Sequence, residues 1–256
     1  MRPALPAAFL AAPIAHRGYH ARQQGRIENS TSAIRAAVEA GYGIEIDLQL
    51  SSDGVAMVFH DEQLDRLTDQ TGALNARTAA DLGAIRLTGS PDTIPTLAEV
   101  LALIAGRAPL LIEIKDQSLT LSPTDGRLEQ ATARALQGYG GPVALMSFNP
   151  HSMARMADLA PAVPRGLTTC AFDPADWHPA DPATCLHLRA IADFDPVRAS
   201  FISHDAADLA RPRVSDLRTG GATILCWTIR TAAAEAEARK IAHNITFESY
   251  AASLAA

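Results

Sequence analysis

Glu45-Ile46-Asp47 and, far downstream, Glu113-Ile114-Lys115 place ionisable side chains at i and i+2 inside apolar, β-branched runs. Successive side chains of a strand point to opposite faces. Glu45 and Asp47 therefore share one face, backed by Ile44 and Ile46, and Glu113 and Lys115 share another, backed by Ile112 and Ile114. Charge on a strand face that ought to be buried is costly unless a metal, a partner or a substrate compensates it. Three carboxylates and a lysine converging from two strands suggest a hard-cation site that handles an anion.

The elements that must hold these groups recur along the chain. Strand-like runs lie at Pro13–His16, Ile44–Leu50, Leu110–Lys115, Val143–Phe148, Arg165–Thr169, Ser200–His204, Thr223–Ile229 and Ile245–Glu248. Helical patterns separate them, at Thr31–Ala40, Thr96–Ala105, Leu128–Gln137, Pro150–Leu159, Ala183–Ala192, Leu209–Thr219 and Thr231–Ala242. Strands alternating with helices imply a parallel sheet. Eight such runs in 256 residues fit a (β/α)8 TIM barrel. Ser51-Ser52-Asp53-Gly54 breaks the alternation and leads into Val55–His60, a connection short enough for an antiparallel hairpin. The segment from about residue 50 to 93 is expected to be a small insertion between strand 2 and helix 2 of a single domain spanning 1–256. Such a barrel carries its site at the C-terminal ends of its strands, where His16-Arg17, Glu45, Asp47, Glu113 and Lys115 all fall. Little helical sequence follows Glu248, so the last barrel helix is expected to be short or completed by a partner subunit.

Composition narrows the function classes. A net charge of −6 provides no basic stripe for nucleic acid. No Gly-x-Gly-x-x-Gly follows the first strand, which leaves a dinucleotide site without support. Cys170, Cys185 and Cys226 form no Cys-x-x-Cys pair and are expected to be buried, free thiols in a reducing compartment. No stretch approaches the roughly 20 apolar residues of a membrane span. Met1–Pro13 is Ala-rich, but the functional run begins too soon after it for a cleaved leader. The expectation is a cytoplasmic protein, monomer or homodimer.

The chain resembles the glycerophosphodiester phosphodiesterase family. The matching segments are Ala15-His16-Arg17-Gly18, Glu28-Asn29, Glu45-Ile46-Asp47, Asp53-Gly54-Val55 and Val58-Phe59-His60-Asp61. Leu64-Asp65-Arg66-Leu67-Thr68, Gly72, Ile94–Leu101, Glu113-Ile114-Lys115, Ser147-Phe148 and Trp227-Thr228-Ile229 follow in order. The resemblance implies a TIM barrel with an insertion after the second strand. It also implies metal-dependent hydrolysis of a small-molecule glycerophosphodiester to sn-glycerol 3-phosphate and an alcohol. By the same resemblance, Glu45, Asp47 and Glu113 hold one divalent cation, Mg²⁺ or Ca²⁺, and His16 and His60 act as the general acid/base pair. Imidazole suits both tasks near neutral pH.

Arg17 and Lys115 are the expected phosphate clamps, and Phe148 and Trp227 the expected pocket walls. Asp61 orients a loop or caps a turn, and Glu28 either reaches the site or serves helix entry. Arg230 and Glu248 depart from the family pattern at the barrel mouth, which puts the leaving alcohol in question more than the reaction. His20, His151, His178, His187, His204 and His243 show no ligand spacing and are read as structural or surface groups. Two alternatives keep the barrel: a lysophospholipase D-type enzyme, disfavoured because no amphipathic basic helix is evident, and a non-catalytic binding module.

Overall fold

The computed structural model describes residues 2–254. Eight parallel strands close on themselves: β1 (Ile14–Ala15), β2 (Gly43–Leu50), β4 (Leu110–Ile114), β5 (Val143–Ser147), β6 (Arg165–Thr169), β7 (Phe201–Asp205), β8 (Thr223–Ile229) and β9 (Asn244–Phe247). β1 pairs with both β2 and β9, which completes the barrel. The helices α2 (Thr31–Ala40), α4 (Leu97–Ile104), α5 (Arg127–Ala135), α6 (Pro150–Leu159), α7 (Pro182–Arg189), α8 (Pro212–Thr219) and α9 (Ala232–Ala238) alternate with them. The expected (β/α)8 TIM barrel is the observed architecture. No helix among the described residues is long and apolar enough to cross a membrane.

Strand alternation produces two cores. Ile44, Ile46, Leu48, Ile112 and Ile114 face outward and pack with Ile34, Leu97, Val100 and Leu101 in the main apolar cluster. Leu111, Ala144, Met146, Phe201 and Leu225 face inward and fill the lower barrel. They are joined by Phe9, fully buried, from a short N-terminal helix, α1 (Ala8–Ala11), that the sequence does not announce. Asn244 ties that helix in place, its amide donating to the carbonyls of Phe9 and Ala12 at 2.7 Å each. An apolar plug and a buried amide thus close the end of the barrel opposite the charged triplets.

Between β2 and α4, strand β3 (Ala56–Val58) pairs antiparallel with β2, Leu48 opposite Val58 and Leu50 opposite Ala56. This is the hairpin the Ser51–Gly54 turn predicts. The rest of the segment, with helix α3 (Ala79–Ala84), closes over its own cluster of Met57, Phe59, Leu64, Leu67, Leu82 and Ile94. Asp92 anchors it to the barrel by accepting from the Thr31 hydroxyl and the Ser32 amide at the start of α2.

Two expected helices differ. The helix expected at Leu209–Thr219 starts late: a 3₁₀ turn covers Ala206–Asp208, residues 209–211 are not helical, and α8 begins at Pro212. Proline lacks an N–H and biases the preceding residue away from helix, so it opens α8 at its first position. After β9 no helix occurs among the described residues. Residues 250–254 instead run over α2's end, where the Tyr42 hydroxyl donates to the Ala252 carbonyl at 2.7 Å.

If α1 is the plug described, Phe9→Ala leaves a void in the lower barrel. Chemical denaturation is expected to show a loss of about 3 kcal/mol. A loss within about 0.5 kcal/mol, the range of surface substitutions, would show that the helix is peripheral.

Candidate active site

The site is assembled by the first three barrel strands and the insertion. Asp47 lies beside Glu113 in the parallel register of β2 and β4, and Glu45 lies one inward position below. All three are buried. One oxygen of each lies within 4.8 Å of the others. Each carboxylate gives one oxygen to a protein donor. Glu45 Oε2 accepts from the Arg17 backbone N–H at 2.9 Å, Asp47 Oδ2 from Asn29 Nδ2 at 2.9 Å, and Glu113 Oε1 meets Lys115 Nζ at 2.9 Å. The second oxygens form no hydrogen bond within the described residues.

The crowding acts on ionisation in opposite directions. Burial, and the charges of Asp47 and Glu113, push Glu45 well above the ordinary carboxylate range. Burial also opposes ionisation of Asp47, but Lys115, His60 and Arg17 outweigh it and hold Asp47 low. Lys115 stays charged, because Glu113 and Asp47 overcome its own desolvation. Three carboxylates with two flanking cations therefore keep one acid disposed to hold a proton. Oxygen-only donors, each with a free lone-pair face, suit a hard divalent cation, which would remove that need.

The His16-Arg17-Gly18 turn brings β1 to the carboxylates. Arg17 and Asn29 both adopt the left-handed backbone region, with φ of 53° and 60°. Such conformations are costly for non-glycine residues and cluster at sites where the surroundings enforce them. Gly18, at φ +78°, could not be replaced cheaply. A Cβ there would lie 2.9 Å from the Ala33 carbonyl carbon.

Each imidazole is fixed by a carboxylate at Nδ1. His16 Nδ1 lies 2.6 Å from Glu248 Oε2, and His60 Nδ1 lies 2.6 Å from Asp61 Oδ1. Burial lowers His16 in spite of Glu248, while contacts from His16 and His20 hold Glu248 well below its usual range. The pair is thus a neutral imidazole donating Nδ1–H to an ionised carboxylate, which leaves Nε2 with its lone pair. His60 Nε2 meets Lys115 Nζ at 3.2 Å. Gln49 holds the His60 carbonyl at 3.0 Å.

All nine residues expected from the sequence line one cavity of about 190 Å³: His16, Arg17, Glu45, Asp47, His60, Glu113, Lys115, Phe148 and Trp227. Trp227 is anchored by its indole N–H donating to the Ser203 carbonyl at 2.9 Å, and its ring meets Phe148 edge-on at 5.6 Å.

Several residues have larger parts than the sequence indicates. Glu248 appears from the sequence only as a departure, yet it lies two positions after the cavity-lining Thr246, just past the end of β9, and reaches His16 Nδ1. Strand alternation could have identified it. Arg230, the other departure, is largely exposed, and its Nε donates to Glu248 Oε1 at 2.8 Å. His20, read as structural or surface, stands 3.6 Å from Glu248. His204 is structural: buried, it contacts Thr169 Oγ1 at 2.7 Å and Asp208 at 3.3 Å. Arg66 bridges Glu28 and Asp61 with contacts of 2.6–2.9 Å. Since Glu28 also accepts from Arg17 at 2.7 Å, the two histidine loops are joined by one run of charges.

The sequence model of the glycerophosphoryl diester phosphodiesterase family matches residues 16–245, a span that contains every group of the site named above except Thr246 and Glu248. The chain belongs to this family. It is 33% identical over 179 residues to the glycerophosphodiester phosphodiesterase of Caldanaerobacter subterraneus subsp. tengcongensis, covering 65% of this chain and 70% of that one. It is 37% identical over 98 residues to human glycerophosphodiester phosphodiesterase 1, covering 35% of this chain and 29% of that protein. Among solved structures, an Oleispira antarctica phosphodiesterase in complex with the product sn-glycerol-3-phosphate superposes with a TM-score of 0.76. That similarity covers 95% of this chain and 94% of the other at 24% identity, and it concerns the fold. The Thermotoga maritima glycerophosphodiester phosphodiesterase gives a TM-score of 0.69 at 19% identity, over 92% and 94% of the two chains.

The Arg66 bridge makes a pH-dependent prediction. Burial opposes the ionisation of both Glu28 and Asp61, but hydrogen bonds from Arg66, Arg17 and His60 outweigh it and lower both. Groups with lowered folded-state pKa values stabilise fully above the unfolded carboxylate range, near pH 4, and lose that contribution as pH falls through it. Arg66→Met is expected to make the fall in Tm between about pH 6 and pH 3 shallower than in the wild type. An identical slope would contradict the bridge.

Proposed function

We propose that this protein hydrolyses glycerophosphodiesters to sn-glycerol 3-phosphate and an alcohol, with His16 and His60 as the acid/base pair and one divalent cation, Mg²⁺ or Ca²⁺, held by Glu45, Asp47 and Glu113. The observation that carries this is one cavity presenting three carboxylates with free oxygens, two histidines oriented by carboxylates, and two cationic side chains. Family membership supports the substrate class.

When bound, such a cation would neutralise phosphodiester charge and stabilise charge that develops during reaction. The other roles belong to the chain. Arg17 and Lys115 orient the phosphate oxygens, Arg17 as a planar fork and Lys115 as a point charge. One histidine takes the proton of a neighbouring substrate hydroxyl as its oxygen attacks phosphorus. The other gives a proton to the departing alcohol oxygen as its bond to phosphorus breaks. A cyclic phosphate results, and water opens it with the two roles exchanged. Glu248 and Asp61 hold the imidazoles in the tautomer with Nε2 toward the cavity. Phe148 and Trp227 wall off the apolar parts of the substrate.

Turnover of a glycerophosphodiester is expected to cease on EDTA treatment and to return with Mg²⁺ or Ca²⁺. Full activity in EDTA would remove the cation from the account. His16→Ala and His60→Ala are each expected to lower kcat by on the order of 10²–10⁴ with the circular dichroism spectrum retained. A near-wild-type rate in either would refute its role.

A further inference from the structure

Past Phe148 the catalytic cavity continues into a second one of about 230 Å³, which shares Glu113, Lys115 and Phe148 with it. The chemistry of the walls changes there. One wall is aromatic: Trp177 lies 5.0 Å from Phe148 between ring centroids and is backed by Phe172 at 4.8 Å. Carboxylates of Glu62, Asp116 and Asp176 come from three separate segments to line the same space. Among the described residues, no lysine or arginine forms an ion pair with any of the three. Asp116 is also fixed in place, accepting from the Ser118 hydroxyl at 2.8 Å, the Leu121 amide at 2.9 Å and Asn149 Nδ2 at 2.8 Å. These are neutral donors, so they hold the carboxylate without cancelling its charge.

The opposite side of the mouth has the other sign. Arg17 and Arg230 line the catalytic cavity there. The neighbouring groove carries Arg22 and Arg26, neither paired with a carboxylate among the described residues. Unpaired charge of opposite sign therefore stands on the two sides of the mouth, Arg22 and Arg26 on one and the three carboxylates on the other, with Lys115, paired to Glu113, at the junction of the two cavities. A phosphodiester clamped by Arg17 and Lys115, as proposed above, would keep its negative charge on the catalytic side of Phe148. Its leaving alcohol then has the aromatic and acidic chamber as a neighbouring space. Aromatic faces attract cations by their quadrupole, most strongly when the cation is poorly hydrated, and unpaired carboxylates add to that attraction.

We propose that the second chamber selects a cationic leaving alcohol, an amino alcohol of the quaternary ammonium type, with Trp177 and Phe148 packing on its head and Glu62, Asp116 and Asp176 supplying the opposite charge. This rests on the glycerophosphodiester reading and specifies its alcohol. Phe148 and Trp177 are partly exposed, as walls that receive a ligand must be.

Release of sn-glycerol 3-phosphate from glycerophosphocholine and from glycerophosphoglycerol, measured on the cation-loaded enzyme, tests the proposal. The wild type is expected to favour the choline diester in kcat/KM by about tenfold, the order expected for a well-placed aromatic and charged contact to a cation. Trp177→Ala is expected to lower that ratio about tenfold, mainly through KM for the choline diester. The exposed pair Glu62→Gln with Asp176→Asn, which leaves the aromatic wall in place, is expected to lower it in the same direction, and added salt to reduce the wild-type preference. Equal turnover of both diesters by the wild type, or a ratio unmoved by either variant, would overturn the selection of a cation while leaving the phosphodiesterase reading intact. A preference for the neutral diester would overturn it as well. Failure to turn over either diester would instead refute the glycerophosphodiester reading on which it rests.

Discussion

The mutual repulsion of Glu45, Asp47 and Glu113 is the constraint around which the rest of the site is arranged. Parallel register puts Asp47 beside Glu113, and alternation puts Glu45 below Asp47 on the same face. Their backbone is fixed from behind by isoleucines packed against the helices, so the carboxylates cannot move apart without unpacking the outer core. Burying unpaired charge is expensive, and the protein answers with a donor for one oxygen of each group and with Arg17 and Lys115 at the rim. The left-handed turns at Arg17 and Asn29 follow from this. They are the backbone conformations that bring an N–H to Glu45 and an amide to Asp47.

The same requirement explains the insertion. A bare barrel would leave one histidine at the mouth. The hairpin and its small core deliver His60, Asp61 and Arg66 to the opposite side. Arg66 then returns to Glu28, and Glu28 to Arg17, so the loop after β1 and the loop after β3 hold each other in register. Each imidazole has a carboxylate on the side away from the cavity. Two histidines from unrelated parts of the chain are thus held in the same way at Nδ1, while Nε2 of His60 meets Lys115 Nζ.

Much of this was legible in the sequence because it depends on local periodicity. The i, i+2 spacing of Glu45 and Asp47 names their shared face, and the Ser51–Gly54 turn names the hairpin that supplies His60. Helix starts are equally local: Ser30 caps α2 by accepting from the Ala33 amide, and Thr96 forms a reciprocal capping pair with Glu99. What escaped depends on contacts distant in sequence. Phe9 is a core residue only because the barrel's lower end is open to it. Glu248 meets His16 across 232 positions, and Arg66 meets Glu28 across 38. Arg230 has the composition of a free surface charge, and only the fold shows its partner to be Glu248. The late start of α8 is set locally, by the missing donor of Pro212 and its effect on Arg211, which the apolar pair Val214 and Leu217 does not reveal.

We propose the three buried carboxylates as the ligands of one cation. Thermal unfolding of the wild type and of Glu45→Gln at neutral pH, with and without saturating Mg²⁺ or Ca²⁺, tests it most directly, because a ligand that binds only the folded state raises its Tm. A divalent cation is expected to raise the Tm of the wild type by several degrees, and the variant to lose most of this response. An unchanged wild-type Tm with both cations, or an equal rise in Glu45→Gln, would contradict it.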